Sequence, residues 1–244
     1  MSRALPNLLR ITGLELLWSF RVPEVLVYNF LLPSILLLLL GFIRGGDPEY
    51  MGFLVTGLLT LFLSSSAMQA AGSTLGTMRL GGTLRSLRVS PIPVSLYLTG
   101  VALSRIVRIL AVAAMLLLVA YLVFDFRVRG NLLVLFLYAL LGAVTFAALG
   151  GLLACLVRTP QSISSTINLI FLPMLFTSGV FYQSELPWVN TVSLAFPLTF
   201  LVQLIRPEAL GWGEAPSVLW NLTILLLWTV VCGVGAAYLL RRRS

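Results

Sequence analysis

The chain is 244 residues long, 59% of them hydrophobic and only 10% charged. A soluble domain carries about 25% charged residues, so this sequence cannot clothe a water-facing surface and belongs in a membrane. Its net charge of +8 comes from 16 arginines and no lysine, and these flank apolar runs without forming a basic domain, which argues for membrane orientation and against nucleic acid as a partner.

The missing residue types exclude more. Without lysine there is no Walker A loop, whose Lys reaches the nucleotide phosphates, so ATP chemistry has to come from another chain. There is no histidine, and the eight carboxylates sit near the ends of apolar runs. Proton- and ion-coupled carriers place ionisable groups at membrane depth, which disfavours that class. Cys155 and Cys232 fall inside apolar runs and read as small hydrophobes, with no disulfide, metal site or cofactor expected in this chain.

Residues 1–22 do not read as a cleaved signal, because Arg10 and Glu15 interrupt the apolar core and no small-residue cleavage site follows. At 100° per residue Arg3, Asn7, Arg10 and Arg21 share one side of a helix, and Leu5, Leu9, Leu16 and Phe20 share the other. That pattern predicts an interfacial amphipathic helix on the cytoplasmic surface, with a charged leader as the plainer reading. Val25–Ile43 is an uncharged run of spanning length in which Pro33 predicts a kink. After the polar turn 44–49, Tyr50–Met78 is uncharged again. Its small-residue stretch Ser64–Gly76 suits either close helix packing or the wall of a path.

Arg79–Pro93 follows, a basic segment with two glycines and two prolines. Arg85 and Arg88 lie three apart beside Leu84 and Leu87, so one helical turn presents a basic side and an apolar side. Composition alone fits a loop obeying the positive-inside rule as well as a docking element. Val94–Phe124 is too long for one crossing, so its first half, with Arg105 and Arg108, is expected to project toward the cytoplasm or snorkel to the interface. Asp125–Gly130 is a polar turn, and Asn131–Val157 spans back with Gly142, Gly150 and Gly151 as points of close contact. Thr159–Ser184 spans next, interrupted by Pro173 and Gly179. Residues 185–206 are apolar but broken by Pro187 and Pro197, and Ser217–Leu240 is the last span.

With both termini inside, 12 of the 16 arginines lie on the cytoplasmic side. A full crossing by 185–206 would put the Arg241–Arg243 tail outside, so this segment is expected to be a re-entrant pair of half-helices on the outer side. The expected fold is all-α: one transmembrane domain over 1–244, with six spans in the inner (plasma) membrane, an interfacial helix, and a re-entrant element before the sixth span.

Two blocks give this order of elements a likeness. Gly81–Pro93, GGTLRSLRVSPIP, is similar to the Gly-Thr-Leu, Arg/Leu, Ser/Thr-Pro coupling segment of the type-2 membrane permeases of ABC exporters. Leu172–Arg206 resembles the same family's run of Pro, Ser-Gly, aromatic, Leu-Pro, Pro-Leu-Thr and Arg. The resemblance covers essentially the whole chain. It implies a coupling helix between spans 2 and 3, with Gly82, Thr83, Leu84, Arg85, Ser86, Leu87 and Arg88 docking on a separate P-loop ATPase that holds the ATP and Mg. Where the family often has an acid, this chain has Arg85, which implies acidic groups on the facing surface. The resemblance also implies a second permease copy as partner, surrounding lipids, and a route lined by spans 1, 2 and 5. That nominates Asn29, Ser64, Ser65, Gln69, Ser178, Phe181 and Tyr182 as path residues, each of which also fits ordinary helix packing. The expected cargo is amphiphilic: lipid-like, a lipid-linked glycan or a hydrophobic drug. Two other classes remain in view, a membrane-embedded lipid-modifying enzyme and an accessory scaffold.

Overall fold

The computed structural model describes residues 4–22, 26–80, 94–157, 159–180, 186–211 and 217–243, and among these the only regular structure is helical. The stretch expected to lie on the membrane surface forms helix α1, Ala4–Arg21. The first apolar run is broken where Pro33 demands it. A π-turn, Val27–Leu31, leads into α2, Leu32–Ile43, with Pro33 in its first turn. Proline has no N–H and its ring clashes with the carbonyl four residues back, so the preceding turn widens. Ser34 Oγ donates to the Phe30 carbonyl at 2.9 Å within that turn.

Helix α3, Pro48–Leu80, is the central element: 83% of its apolar core is buried inside the protein. Helix α4, Val94–Phe124, has the bounds of the long apolar run, and α5, Leu132–Leu156, starts at Asn131, whose side chain accepts from the Leu133 N–H at 2.9 Å. The order continues with α6, Pro160–Thr177, α7, Pro187–Ser193, α8, Pro197–Leu210, and α9, Val218–Arg243. Helix α6 stops at Thr177, short of the expected Ser184, because Gly179 takes a left-handed φ of +70° directly after the Ser178 cap.

Four helices of the described residues are long and apolar enough to cross a membrane, within α3, α4, α5 and α9. Helices α7 and α8 meet at a bend of 98° and make a fifth if counted as one crossing. Prolines at the start of both α7 and α8 account for the break: each is tolerated in a first turn and neither can continue a helix from before it. The chain is therefore a multi-pass helical membrane protein.

Packing is closest between α3 and α5. A Cβ on Gly150 would overlap the Met68 carbonyl, so the two backbones touch there. Gly72 receives the Ile167 side chain and Gly76 that of Ile163, both of α6, which answers the small-residue stretch with packing on one side of α3. Thr145 Oγ1 and Thr229 Oγ1, 2.8 Å apart, join α5 to the peripheral α9. Cys155 and Cys232 are buried in the α5 and α9 cores.

Helix α1 leans on the first half of α4. Ile11 packs on Gly100 and Thr12 Oγ1 donates to the Gly100 carbonyl at 3.3 Å. Leu14 and Leu17 project outward on the side that carries Arg10, so the apolar surface of α1 is wider than the stripe of Leu5, Leu9, Leu16 and Phe20.

The polar turns gather at one end of the bundle. Gly46 packs on Phe124, Gly52 on Leu210 and Phe126, and Gly130 on Glu208. The Arg129 N–H donates to the Ala209 carbonyl at 3.0 Å, and the Asn131 N–H to Glu208 Oε1 at 2.6 Å. Arg44, Arg127, Arg129 and Arg206 thus share one end with Asp47, Asp125 and Glu208, the grouping that the arginine count assigned to the outer side.

Candidate functional site

A cavity of about 670 Å³ lies between α3 and α4, bordered by the π-turn, α5 and the start of α6. Its wall changes character along its length. Leu59, Phe62 and Leu116 line one end, and Ser73, Thr74, Arg105 and Arg108 line the other. Between them, Ser66 Oγ donates to Asn29 Oδ1 at 3.0 Å, and Gln69 Nε2 donates to Asn168 Oδ1 of α6 at 2.9 Å. Arg105 donates to Thr74 Oγ1, tying α4 to α3 at the polar end. Arg108, one turn further along α4, lies within electrostatic reach of Glu15 of α1.

Of the seven path residues, Asn29 and Gln69 line this cavity. Ser64 and Ser65 do not. Both are buried, Ser65 Oγ donating to the Phe62 carbonyl at 3.3 Å and Ser64 Oγ having no hydrogen-bond partner among the described residues. Ser178 is buried at the C-terminal cap of α6, its N–H donating to the Met174 carbonyl at 3.1 Å and its Oγ also without such a partner. Phe181 and Tyr182 lie outside the described residues, as do Gly82, Thr83, Leu84, Arg85, Ser86, Leu87 and Arg88.

The sequence reading missed Ser66, Ser73 and Thr74, and treated Arg105 and Arg108 only as interfacial charges. Helical spacing carried part of the signal. Ser66, Gln69 and Ser73 stand at i, i+3 and i+7 and share a face, from which Ser64 is about 200° away.

A second polar arrangement sits at the opposite end. Arg206 of α8 is 95% buried, its exposure being 5%. Its guanidinium donates to the Gly179 carbonyl at 2.9 Å, the Val180 carbonyl at 3.4 Å and Thr56 Oγ1 at 3.3 Å, and stacks 3.9 Å above the Phe53 ring. The left-handed Gly179 turns the chain so that both carbonyls face the arginine. Gly57 lets them come close, since a Cβ there would overlap the Val180 oxygen. This knot ties α3, α6 and α8 together.

A multi-pass helical protein with an amphiphilic cavity of this size between its helices has the make-up of a transporter subunit. The family profile described as "ABC-2 type transporter" matches residues 8–207, and the chain belongs to that family. It is a transport permease subunit, not an enzyme. Over 180 residues it is 26% identical to the inner membrane transport permease YadH of Escherichia coli K12, across 72% of this chain and 70% of that protein. Proteins of the same name from Escherichia coli O157:H7 and Shigella flexneri match to the same extent.

Proposed function

We propose that this chain is the membrane half of an ATP-driven exporter of the inner membrane, moving an amphiphilic, lipid-like, drug or lipid-linked glycan cargo outward. The observation that carries the reading is the cavity of about 670 Å³, with an apolar end and an arginine-bearing end, in a chain of the ABC-2 type transporter family. In this reading the chain crosses six times with both termini inside, and the broken pair α7–α8 enters and leaves on the outer side. The segment 79–93 docks Gly82–Arg88 on a P-loop ATPase, which supplies the ATP hydrolysis.

Two copies of the chain pair. The support is a polar strip across α3 and α6: Ser73, Thr77, Ser165 and Asn168 are exposed in the single chain. The Ser73 and Thr77 hydroxyls bond back to their own helix and Asn168 Oδ1 accepts from Gln69, and so polar a strip suits a second subunit and a wet route between the copies better than lipid tails.

Affinity purification in mild detergent, followed by mass spectrometry, tests the assignment. A stoichiometric P-loop ATPase is the expected companion, and recovery of the chain alone in several detergents overturns it. Reversing the charge of Arg85 and Arg88 to Glu should abolish that co-purification without affecting membrane insertion. A Trp188→Cys variant should label from outside intact cells, because Trp188 is 64% exposed in α7 while Cys155 and Cys232 are buried. Labelling only after permeabilisation contradicts the re-entrant arrangement.

A further inference from the structure

We infer that the cavity between α3 and α4 selects amphiphiles with an anionic head, held by Arg105 and Arg108, with the apolar tail lying along Leu59, Phe62 and Leu116. This rests on the permease reading above and narrows its cargo to one charge class.

The first ground is the direction of the polarity gradient. The cavity follows α3 from Leu59 to Thr74, 15 residues, or about 22 Å at the helical rise. That matches an extended alkyl chain of a dozen or so carbons plus a head group. The tail end offers only hydrocarbon, the middle offers amide and hydroxyl groups on Asn29, Ser66 and Gln69, and only the far end carries charge. A ligand polar throughout would strand its groups against Leu59 and Phe62, and a wholly apolar one would desolvate two guanidinium groups without return.

The second ground is the sign of the charge. The described residues lining the cavity include Arg105 and Arg108 and no aspartate or glutamate. An anionic head thus meets donors, whereas a quaternary ammonium head would meet like charge. Each guanidinium already has contacts inside the protein, Arg105 with Thr74 and Arg108 within electrostatic reach of Glu15. Each carries five N–H donors in a planar fork suited to phosphate or carboxylate, and Thr74 holds that of Arg105 in place. Helix α1 takes part as well, since Glu15 lies within electrostatic reach of Arg108 and its removal would alter the charge at the head end.

The test is equilibrium binding of radiolabelled dodecyl phosphate to the full chain, purified in a neutral maltoside detergent, against empty micelles. Saturable binding is expected, weakened about tenfold for each guanidinium lost in Arg105→Gln and Arg108→Gln, with Arg105→Lys keeping most of it. Val112→Trp leaves both arginines in place and fills the cavity, and it should also abolish binding. This variant keeps the test decisive should the arginine variants fail to fold. Unchanged affinity in the folded double Gln variant overturns the proposal. So does equally tight binding of dodecyltrimethylammonium, which marks an unselective apolar groove. Displacement by inorganic phosphate at the same concentration as by unlabelled dodecyl phosphate also overturns it, because the ligand is then free phosphate and not a lipid-like head. The assay contains no ATPase. Its failure therefore removes the cargo class alone, whereas failure to co-purify an ATPase removes the exporter reading and leaves the binding result standing.

Discussion

At one end of the bundle Arg206 is sealed among two backbone carbonyls, a threonine hydroxyl and the face of Phe53, while at the other Arg105 and Arg108 stand half-buried in a cavity wall. The same side chain serves two purposes, and burial decides between them. A guanidinium removed from water must be met by fixed acceptors, which makes it a structural tie whose loss is costly. One left in a cavity wall borders a space that the anionic group of a ligand can enter. The knot at Arg206 fastens the broken pair α7–α8 to α3 and α6, and the cavity leaves α3 and α4 joined along their polar ends through side chains. The chain is thus tight at the end with the polar turns and open toward the end that holds α1.

The sharpest way to break this contrast is to remove each arginine in turn and compare thermal unfolding in the same detergent. Arg206→Met should cost about 3 kcal/mol, because it strips the carbonyls of Gly179 and Val180 of their donor. Arg105→Gln should cost less than about 1 kcal/mol at its half-exposed site. Equal losses would make Arg105 as structural as Arg206 and dissolve the distinction. Next in size, Gly57→Ala drives a methyl into the Val180 oxygen and should cost about 1–3 kcal/mol. An unchanged melting temperature would mean that the seam between α3 and the end of α6 is looser than drawn. Phe53→Leu keeps the volume but removes the π face under Arg206, for a loss of about 1 kcal/mol in the same assay. Smallest of all, Ala70→Val adds two methyl groups into the cavity and should change stability by less than about 0.5 kcal/mol. A larger loss would show the cavity to be packed more tightly than its volume suggests.

Much of the helical order could be read from the sequence, because lipid forces each crossing to satisfy its own backbone and so to declare itself as an uncharged run. Val94–Phe124 and the start of α5 near Asn131 followed from apolar runs bounded by polar turns, and the break between α7 and α8 followed from Pro187 and Pro197. The site was less legible. Ser64, Ser65 and Ser66 are alike in composition, and which of them faces a cavity depends on the phase of α3 against its neighbours. Arg206 looked like one more arginine of the outer side. Its burial comes from Thr56, 150 residues away, and from the turn at Gly179, and neither contact leaves a local pattern.

The π-turn before Pro33 also acts as a setting of phase. One residue more in a turn rotates everything ahead of it by about 100° relative to the helix that follows. Asn29 lies inside that inserted turn, so its aim at Ser66 is fixed by a proline four positions downstream rather than by the register of α2. Restoring an ordinary α-helical turn there would swing the amide out of the cavity without changing a single residue that lines it.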